Sequence, residues 1–141
     1  MSDCAHCLSR RAFVANSTLL AVSAFLAGCS SADSTGPSNV NVSVKLTDYS
    51  ALGTVGGIAR LSGTSTPIAV VRTAASSYRA FSLICPHEAG SVGINGAGFL
   101  CSKHGATFNS SGTWTGGERT TNLREFAVTF DATAGTLTIT S

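Results

Sequence analysis

The chain has 141 residues, 11% of them charged, with a formal net charge of +2. That length holds one domain and little more. No basic run is present to neutralise a phosphate backbone, which excludes nucleic-acid binding as its role.

In chain order, the first feature is Ser9-Arg10-Arg11-Ala12-Phe13, which resembles a twin-arginine export signal. A mostly apolar stretch from Leu19 to Ala27 follows, far short of the roughly 20 apolar residues that a spanning helix needs. Leu26-Ala27-Gly28-Cys29 then resembles a bacterial lipobox. The resemblance implies that residues 1–28 are a signal peptide, removed on export, and that Cys29 carries the lipid. An uncleaved apolar anchor is the alternative, which the shortness of the run and its Gly-Cys ending disfavour. Ser30 and Ser31, with no aspartate beside Cys29, resemble cargo sorted to the outer membrane in Gram-negative cells. The expectation is an extracytoplasmic lipoprotein held to a membrane by its acyl chains. Cys4, His6 and Cys7 lie upstream of the arginines and leave with the signal. From Cys29 onward the chain carries seven Lys/Arg and six Asp/Glu, so the mature protein is close to neutral.

Residues 29–39, rich in serine and containing Gly36-Pro37, read as a flexible lipidated linker, and residues 40–141 as the folded domain. Val40, Val42, Val44 and Leu46 alternate with polar residues, the period of a strand with one buried face. Further apolar runs occur at 57–61, 68–72 and 79–84, and a hairpin at 92–100 leads into Cys101. Gly93, Gly96 and Gly98 read as turn glycines there. The segments 123–130 and 136–140 form a hairpin turned at 131–135. No segment has helical periodicity, so the expected fold is a small all-β antiparallel sandwich or barrel.

Two loops of this frame carry the chemistry: Cys85-Pro86-His87 and Cys101-Ser102-Lys103-His104, separated by 13 residues. Two cysteines in an oxidising compartment would ordinarily suggest a disulfide. Here each has a histidine two or three residues on, which favours metal. Structural zinc sites group cysteines and then histidines at their own spacings, whereas these ligands alternate. Two thiolates and two neutral imidazoles leave less negative charge on an iron–sulfur core than four thiolates do, which makes reduction easier. With His6 gone and the other two histidines given to metal, no group remains for acid–base catalysis, and no catalytic residue is assigned.

Cys-x-His followed by Cys-x-x-His resembles the Rieske iron–sulfur signature, and the likeness continues through Val92, His104-Gly105, Phe108, Gly112, Gly117 and Leu123-x-x-Phe126-x-Val128. It implies a Rieske-type fold with a two-loop cluster-binding subdomain and a [2Fe–2S] cofactor. Cys85 and Cys101 would hold an inner iron, and His87 and His104 an outer iron facing redox partner proteins. Three departures narrow the expectation. Respiratory members of the family carry an extra cysteine in each loop, where this chain has Ala89, Gly90 and Lys103. They also place hydroxyl donors near the sulfurs, at positions that look like Ala106 and Phe108 here; neither side chain can donate. The family's proline-bearing loop is represented by Gly117-Glu118-Arg119-Thr120-Thr121-Asn122-Leu123, without prolines. Fewer donors imply a potential in the lower part of the Rieske range of about −150 to +300 mV, and missing prolines a looser lid.

The function so implied is one-electron transfer by an extracytoplasmic carrier. An electron-transfer subunit of a respiratory or oxygenase-type complex is the second reading, and a zinc-bearing structural β-domain the third.

Overall fold

The computed structural model describes residues 39–141, all-β apart from short 3-10 turns at Leu46–Asp48 and Ser50–Gly53. The expected signal peptide, the lipobox, Cys29 and nearly all of the linker lie outside the described residues. Ten strands are present: β1 (Asn41–Lys45), β2 (Ile58–Arg60), β3 (Ile68–Ala74), β4 (Ser77–Ser82), β5 (Val92–Asn95), β6 (Gly98–Cys101), β7 (Thr107–Phe108), β8 (Trp114–Gly116), β9 (Glu125–Asp131) and β10 (Thr136–Thr140). All pair antiparallel, in a six-stranded sheet of order β1-β10-β9-β4-β3-β2 and a four-stranded sheet of order β5-β6-β7-β8.

The 131–135 hairpin forms as its sequence predicts, with Asp131 opposite Thr136 and Leu137 opposite Phe130. Asp131 Oδ1 accepts from the N–H groups of Thr133 and Ala134, and Gly135 supplies the positive φ of 62°. The strand expected over 79–84 starts earlier, at Ser77, and ends at Ser82; beyond it Ile84 makes a single bridge to Ser91. Of the three glycines expected to turn the 92–100 hairpin, only Gly96 sits in left-handed backbone, at φ 56°. Gly93 lies within β5, and Gly98 is required by proximity, because a Cβ there would strike the Phe108 carbonyl oxygen.

Burial is organised by parity along two neighbouring strands. On β3, Ile68 and Val70 face one core with Leu52, Ala80, Phe126, Leu137 and Ile139, while Ala69 and Val71 face a second core with Phe81, Leu83 and Phe99. A strand covered on both sides reads as a continuous apolar run, as Ile68-Ala69-Val70-Val71 does. On β4 and its extension, Phe81, Leu83 and Cys85 share the second face at every other residue. The same step on β6 puts Phe99 and Cys101 inward, with Cys101 opposite Val92. Strand parity thus drives both cysteines into one core beneath the four-stranded sheet.

Candidate metal centre

The two loops that follow these strands are built alike. In the first, the Cys85 N–H donates to the Gly90 carbonyl at 2.7 Å and the Ala89 N–H to the Cys85 carbonyl at 2.9 Å. In the second, the Cys101 N–H donates to the Ala106 carbonyl at 2.8 Å and the Gly105 N–H to the Cys101 carbonyl at 3.0 Å. The fifth residue of each loop has positive φ, 52° at Ala89 and 73° at Gly105. Ala89 is the only non-glycine among the described residues to do so, at a cost of about 1–2 kcal/mol. This doubled turn has no signature in side-chain type, and only the glycine of the second copy marks it in the sequence.

Each turn holds its cysteine at the base and its histidine at the tip. Cys85 and Cys101 are 1% and 0% exposed, whereas His87 is exposed and His104 partly so. Burial raises the Cys85 thiol above its ordinary pKa, against the N–H groups of His87 and Glu88 that face its sulfur. Burial also opposes ionisation at Cys101, but the N–H groups of His104 and Lys103, the Cys85 thiol and the Lys103 charge outweigh it, and its pKa falls. The two thiols lie within hydrogen-bonding reach of each other, so a proton held by one sulfur opposes ionisation of the pair. At the tip the imidazoles stand edge to face, ring centroids 4.9 Å apart, with Nδ1 of His87 3.4 Å from Nδ1 of His104.

The loops are stitched to each other. Ser91's carbonyl accepts from both the N–H and the hydroxyl of Ser102, at 3.0 and 3.2 Å. Lys103 Nζ donates to Glu88 Oε2 at 2.9 Å, and the same oxygen lies 3.3 Å from His104 Nε2. The Lys103 ammonium, helped by His104, holds the Glu88 carboxyl below its ordinary pKa. Gly90 backs onto the second loop so closely that a Cβ there would lie 3.1 Å from both Cys101 Sγ and Lys103 Cβ. Glu88 is therefore paired across the loops. The pairing spans 15 residues, and no local pattern signals it.

The four donors form two pairs rather than one compact set. Among the described residues, the triplet of potential ligand atoms within 4.8 Å of one another is His87, Glu88 and His104, and it includes neither sulfur. A single tetrahedral zinc, at about 2.3 Å from sulfur and 2.0–2.1 Å from nitrogen, would hold its donors about 3.3–3.8 Å apart. A sulfur pair and a nitrogen pair set apart suit two metal ions better than one.

The model of the Rieske [2Fe-2S] domain matches residues 44–127. The chain belongs to that family. The fold of the Rieske protein PetC3, from the plasma membrane of the cyanobacterium Synechocystis PCC 6803, superposes with a TM-score of 0.53 at 23% identity, covering 72% of this chain and 98% of that one. A quaternary ammonium Rieske monooxygenase described in carnitine oxidation by gut microbiota gives the same TM-score at 20% identity. It covers 72% of this chain, which spans only 30% of the monooxygenase. No curated protein matches the chain. A Rieske domain binds a [2Fe–2S] cluster, and this donor set fits one: two buried thiols with N–H groups aimed at their sulfurs, and two imidazole nitrogens converging at the rim.

Hydrogen bonds fasten the loop that stands where the family has its prolines. The indole N–H of Trp114 donates to the Glu118 carbonyl at 3.0 Å, its backbone N–H to Asn122 Oδ1 at 3.0 Å, and the Leu123 N–H to the Gly112 carbonyl at 2.8 Å. Trp114 is half-buried, and its ring packs against the core that holds both cysteines.

Proposed function

We propose that Cys85 and Cys101 hold the inner iron of the cluster and His87 and His104 the outer iron, and that the protein is a one-electron carrier. The cluster supplies one-electron redox chemistry when bound. The chain's own part is to shield the thiolates, turn backbone N–H groups toward them and bring two imidazole edges to the surface, where electron transfer to a partner needs the shortest gap. The separation of buried sulfurs from solvent-accessible imidazoles, one exposed and one partly so, with the two Nδ1 atoms 3.4 Å apart, carries this reading.

The remainder of the proposal concerns setting and potential. Arg10-Arg11 and Cys29 support an exported lipoprotein on the extracytoplasmic face of a membrane. Incorporation of labelled fatty acid that is lost in Cys29→Ala tests it. Ala106 and Phe108, 0% and 3% exposed in the same core as both cysteines, offer no side-chain donor and support a lower potential. A free carrier is favoured over a subunit of a larger complex, because no second cysteine pair ties the loops as in respiratory members. The decisive experiment is absorption and electron paramagnetic resonance of the purified protein after dithionite reduction. A colourless protein with one zinc and no reduced-state signal refutes the assignment. Replacing His104 with alanine should abolish the signal while leaving most of the β-fold intact.

A further inference from the structure

His104 and His87 are not equivalent, although both present Nδ1 toward the same point. Among the described residues, the polar neighbours of the His104 ring are His87 on its Nδ1 side and the Glu88 carboxylate, 3.3 Å from Nε2. That carboxylate is itself paired, because Lys103 Nζ donates to the same oxygen at 2.9 Å. Glu88 comes from the first loop, and Lys103 and His104 come from the second. A carboxylate at the far nitrogen of a ligating imidazole sets the tautomer, fixes the ring plane and raises the basicity of the ligating nitrogen.

We propose that Glu88 is a positioning residue for His104, holding the ring by its Nε2 edge so that Nδ1 faces the metal, with Lys103 as the strut that keeps the carboxylate in place. The inference rests on His104 being an iron ligand. Glu88 touches no iron; it acts through the ring. It also makes the two ligand histidines electronically distinct, since only the His104 Nε2 edge has a carboxylate oxygen beside it, at 3.3 Å. The charges near the outer iron work in opposite senses. Glu88 disfavours the added electron, and Lys103 favours it.

The test compares holoprotein of wild type, Glu88→Gln, Glu88→Ala and Lys103→Met. Cluster loss is followed by bleaching of the visible absorption in excess chelator, and midpoint potentials are measured at one pH. Glu88→Ala should lose its cluster 10- to 100-fold faster, the usual range for removing such a partner. Its potential should rise, and the difference between the two histidine nitrogen hyperfine couplings should narrow. Lys103→Met should lower the potential, with cluster loss within a few-fold of wild type. Glu88→Gln keeps the shape of the side chain, and carries the comparison if Glu88→Ala does not fold. Bleaching within two-fold of wild type in both Glu88 variants, with an unchanged potential, overturns the proposal. Potentials that move the same way in the Glu88 and Lys103 variants also overturn it. A wild-type protein without the Rieske signal refutes instead the reading of the site.

Discussion

Gly117 and Gly105 allow a measurement of what holds the second ligand loop in place. Both have φ of 73°, so alanine at either incurs the same left-handed penalty of about 1–2 kcal/mol. Their surroundings differ. A Cβ on Gly105 meets nothing within 4 Å, whereas one on Gly117 drives into the Gly105 carbonyl oxygen, 2.6 Å from its carbon and 3.0 Å from Ala106 Cα. The contact is backbone on backbone, so no side chain can swing aside, and the turn that carries His104 must shift instead. We expect Gly117→Ala to cost about 2–4 kcal/mol in all, in the upper half of the usual range for single substitutions. For a domain of this size that lowers the melting temperature by roughly 10–25 °C. Gly105→Ala should lower it by about half as much. Thermal unfolding of the cluster-free proteins gives the stabilities, and reduced-state resonance of the loaded ones reports the displacement of His104. Gly53, with ordinary φ and open space around it, supplies a neutral control. Equal destabilisation by Gly117→Ala and Gly105→Ala would refute the packing argument.

Ala106→Ser, which adds a hydroxyl to the core that holds both cysteines, should raise the potential; a hydrogen bond stronger by about 1 kcal/mol after reduction corresponds to roughly 40 mV for one electron. Potentiometry that finds no rise, in a variant with intact absorption, would place the hydroxyl out of reach of the sulfurs. Arg79 forms a two-pronged ion pair with Glu125 where β4 meets β9, at 2.7 Å through each nitrogen. The Arg79 hydrogen bond and charge hold the Glu125 carboxyl below its ordinary value of 4.5. The unfolded chain therefore takes up that proton first, so the pair's contribution is complete above that ordinary value and vanishes as pH falls through the folded one. Both side chains are partly exposed, 34% and 44%, so Arg79→Met should cost no more than about 1 kcal/mol at pH 7, and the gap from wild type should close as pH falls below that ordinary value in urea titrations. Leu83→Ala, in the core directly below Cys85, should cost about 2–5 kcal/mol by chemical denaturation and speed cluster loss.

The parts of this fold that could be read beforehand are those written in short-range pattern. The hairpin at 131–135 has its aspartate, its glycine and alternating residues on both sides, and β1 has a strict period of two. The division into two sheets could not be read, because β7 and β8 have two and three residues and are too short to show any period. Their pairing is set by contacts with β6 and the lid. Gly93 was indistinguishable in sequence from the true turn glycine three residues on. At the site, residue types and spacing pointed to the four proposed ligands, but the duplication of the turns is a backbone property and Ala89 conceals it. The lid shows the same limit: absent prolines are visible in sequence, whereas an indole donating to a carbonyl four residues away is not.

The repeated turn has a consequence for how such a centre can diversify. Each copy is closed by two main-chain hydrogen bonds, from and to its cysteine, and those bonds are indifferent to the side chains between. Residues 86 and 102 can therefore change charge or size without redrawing the loop. A frame written in peptide groups, with chemistry hung on it as interchangeable side chains, lets the redox potential and the docking face be altered while the geometry of the metal pocket stays fixed.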